Sequence, residues 1–283
     1  MKKIKIVGVP EHFNLPWHFC IENGEFESEG IDLEWQDVPE GTGKMCELVR
    51  NNETDLAIIL TEGIIKDIAA GNESKIIQQY IQSPLIWGVH VAGDSKINSI
   101  SELKNTKAAI SRLGSGSHLM TSVLAKENDW KLTPNDFEIV NTIEGAVDAL
   151  KNGKADYFLW EKYTTQPYVD RGDFKCIGEC LTPWPCFVIV ASDRVLKEHS
   201  ATVERILEIV NQTTEEFKHI PSIDKTIAIR YNLKLEDVKK WLSKTQWSQK
   251  NLDIETLNKI QNQLLEVQII HKKDTFAHIV HTF

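Results

Sequence analysis

An α/β fold of two lobes follows from three features of this 283-residue chain. Strand-like and helix-like runs alternate in β-α-β-α-β-α-β order, twice over, which calls for largely parallel sheets with helices on their faces. The run Leu56-Ala57-Ile58-Ile59-Leu60 is apolar on both faces, as a central parallel strand must be. A glycine-bearing turn opens a helix in each part of the chain, and the length suits two domains of about 100–200 residues.

In the first series, residues 4–9, 31–35, 56–60 and 76–81 read as strands, and residues 17–27, 44–50 and 62–70 as helices, with Gly71 ending the last. A second series follows residues 86–91, with strands expected at 107–110, 137–140 and 157–160. Its helices are expected at 119–127, 146–150 and 161–171. After a strand at 187–190 the pattern is helical from Ser200 to about Ile270, a tail of a length to pack back onto one lobe. No proline-rich or glycine-serine linker marks a boundary. The chain is expected to cross near Ala92 and Phe187, giving a discontinuous lobe of residues 1–91 and 188–283 and a second lobe of residues 92–187.

Hydrophobic content of 41% and charged content of 26% are those of a globular protein, and no apolar run reaches the roughly 18 residues of a membrane span. The net charge of −9 argues against nucleic acid or anionic membrane as the main partner. Met1 to Pro10 reads as a first strand rather than a signal peptide. The chain as given is therefore expected in the cytoplasm, or in the periplasm or at the cell surface if a leader was trimmed. Cys20, Cys46, Cys176, Cys180 and Cys186 are an odd, scattered set that suits a reducing compartment, and the spacing of the last three matches no zinc pattern. No metal and no cofactor is expected.

In open α/β sheets ligands lie beyond the carboxyl ends of the strands. There the stretch Ser111-Arg112-Leu113-Gly114-Ser115-Gly116-Ser117-His118 turns from strand to helix, its glycines allowing close backbone approach and its serines sitting at a helix start. Ser115 and Ser117 read equally as N-caps. Pro39-Glu40-Gly41-Thr42-Gly43-Lys44 is a second such turn. Trp17, Trp160, Phe13 and Trp184 are the aromatic candidates, though tryptophan is more often core. Glu62 and Glu161 each begin a helix after a strand, either complementing its dipole or accepting from an amino or amidine group. His12, His18 and His118 lie near the same strand ends without metal spacing, which favours binding over catalysis. Gly41-Thr42-Gly43-Lys44 lacks the upstream glycine of a phosphate-binding loop, and the Gly114 turn lacks a nucleophile serine.

The run Leu15-Pro16-Trp17, the segment from Glu22 through Gly24, Phe26, Glu29 and Gly30 to Leu33, Gly41 to Met45, Thr54 to Ile58, Ser99 to Lys107, the Ser115-Gly116-Ser117 turn and Ala155 to Glu161 resemble the NMT1/THI5-like substrate-binding proteins for nitrate, sulfonates and thiamine precursors. The resemblance covers roughly residues 4–215. It implies the type II periplasmic-binding-protein fold, a hinge of two crossing segments, and capture of a small solute for an ABC importer. By position it places Pro16, Trp17, Gly41, Thr42, Ser115, Gly116, Ser117, Trp160 and Glu161 around the ligand, with Glu62 and His118 added from the strand-end argument. Lys162 stands where the family often has proline, and the cysteine-rich motif of the fungal pyrimidine-synthesising relatives is absent.

The expected function is thus that of a solute-binding protein, not an enzyme, closing on a small polar or heteroaromatic ligand, with an ABC permease as a possible partner. A cytosolic ligand sensor and an enzyme of pyrimidine-precursor metabolism are the alternatives.

Overall fold

The computed structural model describes residues 2–283. The chain divides into two compact units, the first built from the residues up to Ser83 together with Trp184–Phe283, the second from Pro84–Pro183. In chain order the strands are β1 (Lys2–Gly8), β2 (Ile31–Asp37), β3 (Leu56–Leu60), β4 (Ser74–Ile81), β5 (Ile86–Ala92), β6 (Ala108–Ile110), β7 (Phe137–Ile139), β8 (Tyr157–Glu161), β9 (Phe174–Leu181) and β10 (Phe187–Ser192). The helices are α1 (Leu15–Glu22), α2 (Glu25–Ser28), α3 (Thr42–Arg50), α4 (Thr61–Ala69), α5 (Gly116–Glu127), α6 (Ile143–Lys151), α7 (Lys162–Asp170), α8 (Asp193–Glu216), α9 (Ile223–Arg230), α10 (Leu235–Lys244), α11 (Ile254–Glu266) and α12 (Phe276–Ile279).

The sheet of the first unit has the order β2-β1-β3-β10-β4, and that of the second β7-β6-β8-β5-β9. In the first, β1, β2 and β3 run parallel and β10 is antiparallel to both its neighbours. In the second, β6, β7 and β8 run parallel and β5 is antiparallel to both of its own. Each sheet is therefore parallel except for one reversed strand, the one that follows a crossing between units. Central position explains composition: Leu56, Ala57, Ile58 and Ile59 of β3 and Val188, Ile189, Val190 and Ala191 of β10 are wholly buried, with helices or strands on every side.

The crossings fall at Ser83-Pro84 and Pro183-Trp184, the first before β5 rather than near Ala92, the second just ahead of the expected Phe187. Residues 86–91, expected in the first lobe, belong to the second sheet because β5 finds both its neighbours there, pairing Trp87 with Glu161 on one side and Cys180 on the other. Residues 184–187, expected in the second lobe, belong to the first unit. The Thr61 N–H donates to the Cys186 carbonyl at 3.1 Å and the Thr61 hydroxyl to the Pro185 carbonyl at 2.6 Å. Residues 17–27, expected as one helix, form two, because Gly24 takes a left-handed φ of 72° that breaks the run between α1 and α2.

The helical tail covers an exposed sheet edge. β4 is an outer strand, and its backbone is satisfied by the tail: the Gln79 N–H donates to the Lys250 carbonyl at 2.8 Å, Ser248 N–H to Tyr80 at 3.0 Å and His281 N–H to Ile76 at 2.9 Å. A bare strand edge is a template for aggregation, and this tail removes it. The opposite edge, β2, is left to charge instead, with Glu34 paired to Lys3.

Candidate functional site

Two clusters of residues form at the carboxyl edges of the two sheets, one in each unit. In the first, α3 follows β2 and α4 follows β3, so both helices begin at the same edge. Gly41 turns the chain into α3 with φ 76°, a value that suits glycine. The two helix starts interlock: a Cβ built on Gly63 would lie 2.2 Å from Cγ2 of Thr42, so only glycine at position 63 admits the threonine methyl. Glu62, the second residue of α4, is 4% exposed. Its Oε2 accepts a hydrogen bond from Trp184 Nε1 at 2.8 Å, and its Oε1 is buried without a partner. Burial pushes the Glu62 carboxyl up to about 7, its own backbone N–H and then the Trp184 hydrogen bond only partly opposing it.

In the second unit the Ser111–His118 turn is closed on itself. Ser115 caps α5, its Oγ accepting from the His118 N–H at 3.3 Å, and Ser117 Oγ accepts the Ser111 N–H at 2.9 Å while pairing with Ser115 Oγ at 3.1 Å. His118 Nδ1 accepts from the Gly114 N–H at 3.0 Å. All three serine side chains are buried, so their hydroxyls hold the loop together. Gly116 admits a neighbour, as Gly63 does: a Cβ there would lie 2.8 Å from Cη2 of Trp87. Trp87 is 5% exposed, and its Nε1–H is buried with no partner. Trp160 lies half-buried at the end of β8, stacked on Phe158 at 5.4 Å and edge-on to Trp87 at 6.4 Å. Glu161 caps α7, its Oε2 accepting from the Thr164 N–H at 2.6 Å and hydroxyl at 2.8 Å. Burial nonetheless raises its pKa above the usual carboxylate range.

The sequence-derived residues thus separate into groups. Gly41, Thr42 and Glu62 meet in the first unit, and Ser115, Gly116, Ser117, His118, Trp160 and Glu161 share the sheet edge of the second. Pro16 and Trp17 are buried in α1, and Trp17 packs in the core against Phe26, Trp35 and Tyr80 at centroid distances of 6.1–6.4 Å. His12 is packed against Phe13 and Trp241, and burial holds it down to about 3. His18 is lowered by burial and then by Arg230. Trp87 escaped the sequence reading because it opens a strand, not a helix. Its signal is the proline before it: each crossing passes through proline shortly before the reversed strand, with Pro84 before Trp87 and Pro185 before Phe187. The five cysteines are free, and among the described residues no cluster of three or more metal-ligating side chains forms. No helix of the described residues is long and apolar enough to cross a membrane.

These ionisable groups set an acid response. His90, buried in β5 with Nε2 against Thr165 Oγ1 at 2.8 Å, is held down to about 4, and His12 to about 3. Between the ordinary value of 6.5 and these values the unfolded chain binds protons that the folded chain refuses, so stability falls as pH falls. Glu62 acts oppositely, since the folded chain takes its proton near 7 and the unfolded chain near 4.5. Glu161 acts as Glu62 does and His18 as the other two histidines do, so three losses stand against two gains. The urea midpoint is expected to drop on going from about pH 6.5 to 4.5, and His90→Gln to flatten the drop; a midpoint that rises over this window contradicts the assignment.

The two five-stranded, mostly parallel sheets with their flanking helices have the periplasmic-binding-protein fold. The chain is similar to the Candida albicans CA3427 gene product, described as defining a new family with that generic fold, at 28% identity over 97% of this chain and 92% of the other, with a TM-score of 0.87. A family model described as Ca3427-like PBP matches residues 87–180, within the second unit. The alkanesulfonate-binding protein SsuA from Xanthomonas axonopodis pv. citri, bound to MOPS, shares the fold at a TM-score of 0.81 and 16% identity, over 100% of this chain and 99% of that one. The aliphatic sulphonate-binding protein SsuA from Escherichia coli does so at 0.78 and 15%, over 99% and 97%. No curated protein matches the chain significantly.

Proposed function

We propose that the chain is a solute-binding protein that captures one small polar or heteroaromatic ligand, each unit supplying half of the contacts, and delivers it to an ABC-type importer. The observation that carries this reading is the repeated design of the two strand-edge clusters. Each has a nine-residue or longer helix starting beside a glycine that admits a neighbouring side chain, and each holds a buried polar atom without a partner, Glu62 Oε1 in one and Trp87 Nε1 in the other. Unpartnered buried polar atoms also occur in the packed interior, as at Trp17 Nε1 and His12 Nε2; what sets Glu62 Oε1 and Trp87 Nε1 apart is their place at the carboxyl edges of the two sheets, where a guest completes the bonding. The resemblance to the NMT1/THI5-like family, and the ligand-binding neighbours that share the fold, support the same reading.

Contacts divided between two units favour a closed state when the ligand is bound. The radius of gyration from small-angle scattering is therefore expected to shrink on adding ligand at saturation; an unchanged radius with ligand demonstrably bound sinks the shared-contact reading. Delivery to an importer is tested by crosslinking the loaded protein in membranes, where a permease adduct is expected.

A further inference from the structure

Resting on that capture reading, we propose that Glu62 is the group by which the first unit selects its ligand: the carboxyl carries a proton on Oε1 and donates it to an acceptor oxygen of the guest, so that capture of such a ligand is coupled to proton uptake.

The geometry assigns the two oxygens different parts. Oε2 accepts the Trp184 indole N–H at 2.8 Å, which fixes the carboxyl orientation and leaves the proton, when present, to Oε1. Oε1 is covered by protein and unpartnered. The residues on either side of Glu62 in α4 are themselves engaged, Gly63 against the Thr42 methyl and Thr61 with the Pro185 and Cys186 carbonyls.

Among the described residues no cation is paired with Glu62. On α3, Lys44 in the first turn is paired with Glu47, Arg50 at the far end is paired with Asp67 of α4, and Cys46 is held up to about 12 by burial. On α4 the remaining basic residue, Lys66, lies a turn beyond Glu62, and the Glu255, Lys259 and Glu266 side chains of α11 are exposed. A buried carboxylate without a counter-ion is costly, and protonation is the usual relief. Glu62 near neutrality is then a hydroxyl donor in the first turn of α4. A hydroxyl donor at Oε1 matches a carboxylate, sulfonate or carbonyl oxygen of the guest. An ammonium or amidine ligand would need the carboxylate instead, and would expel the proton on binding. The sign of the proton exchange therefore separates the two.

The full chain is titrated with butanesulfonate and, in parallel, with butylamine, by calorimetry at about pH 8 and about pH 6 in two amine buffers of different ionisation enthalpy. Butanesulfonate is expected to take up close to one proton at the higher pH and little at the lower, with affinity falling about tenfold per pH unit above neutrality. Glu62→Gln should bind it without proton exchange and without that pH dependence. Proton release, or tighter binding of butylamine, overturns the proposal. Infrared difference spectra of the unliganded protein supply a reading independent of any ligand. A buried carboxylic-acid carbonyl band is expected in the wild-type-minus-Glu62→Gln difference near pH 6, any band left in the variant belonging to Glu161, and absence of that difference band overturns the proposal whatever the probes do. The band present with neither probe captured sinks the capture reading itself, and this proposal with it.

Discussion

Trp17→Ala is expected to destabilise the first unit by roughly 3–5 kcal/mol, the usual cost of deleting a large buried aromatic side chain. The residue has no exposed surface, and its ring packs against Phe26, Trp35 and Tyr80, so the deletion opens a cavity that β2, β4 and the α1–α2 turn surround. Relief by collapse is limited because all three neighbours are held by strands or by α2. Urea denaturation with tryptophan fluorescence reads the loss directly. A drop below about 1 kcal/mol together with lost ligand binding would move Trp17 from the core to the ligand, where sequence position alone had placed it.

The second large effect is expected at Gly116. Adding one methyl places a Cβ 2.8 Å from Trp87 Cη2 and 3.2 Å from Cζ2, closer than side chains tolerate. Trp87 is buried and edge-on to Trp160, so its ring cannot swing aside freely. Alanine in place of glycine favours a helix start by up to about 1 kcal/mol, while displacement of a packed ring costs about 1–3 kcal/mol. Gly116→Ala is thus expected to fold with modest loss and to bind ligand at least tenfold more weakly. Ser117→Ala should do the reverse. Its hydroxyl accepts the buried Ser111 N–H, and removal leaves that donor unsatisfied at a cost of about 1–3 kcal/mol in stability. Equal losses of affinity in the two variants would return the serine hydroxyls to the ligand.

Much of this was legible before the structure. Alternation of strand and helix, the buried β3 run and the helical tail follow from periodicity, which is a property of local sequence. What periodicity does not carry is partner choice. Residues 86–92 read as a strand, but their sheet is decided by β8 and β9, far away along the chain. The same limit applies at the sites. Ser115, Ser117 and Glu161 lie at helix starts as expected, yet whether a hydroxyl or carboxylate turns inward to cap or outward to bind depends on a backbone N–H within reach, and here each finds one. Glu62 differs because Oε1 finds none, and nothing in the residues flanking it separates it from Glu161. Tryptophan is similarly ambiguous: Trp17 is core, Trp160 half-exposed, and Trp87, read only as part of a strand, sits against the glycine that opens α5.

Contribution of both units to one ligand is tested most directly by native mass spectrometry of the chain after incubation with a small-molecule cell extract, comparing wild type with Gly63→Ala and Gly116→Ala. Each variant disturbs one strand-edge cluster only, moving Thr42 in the first unit or Trp87 in the second. The expected result is one small-molecule adduct per wild-type chain, released on denaturation and lost from both variants. An adduct that persists in either variant, while the other abolishes it, contradicts capture by two halves.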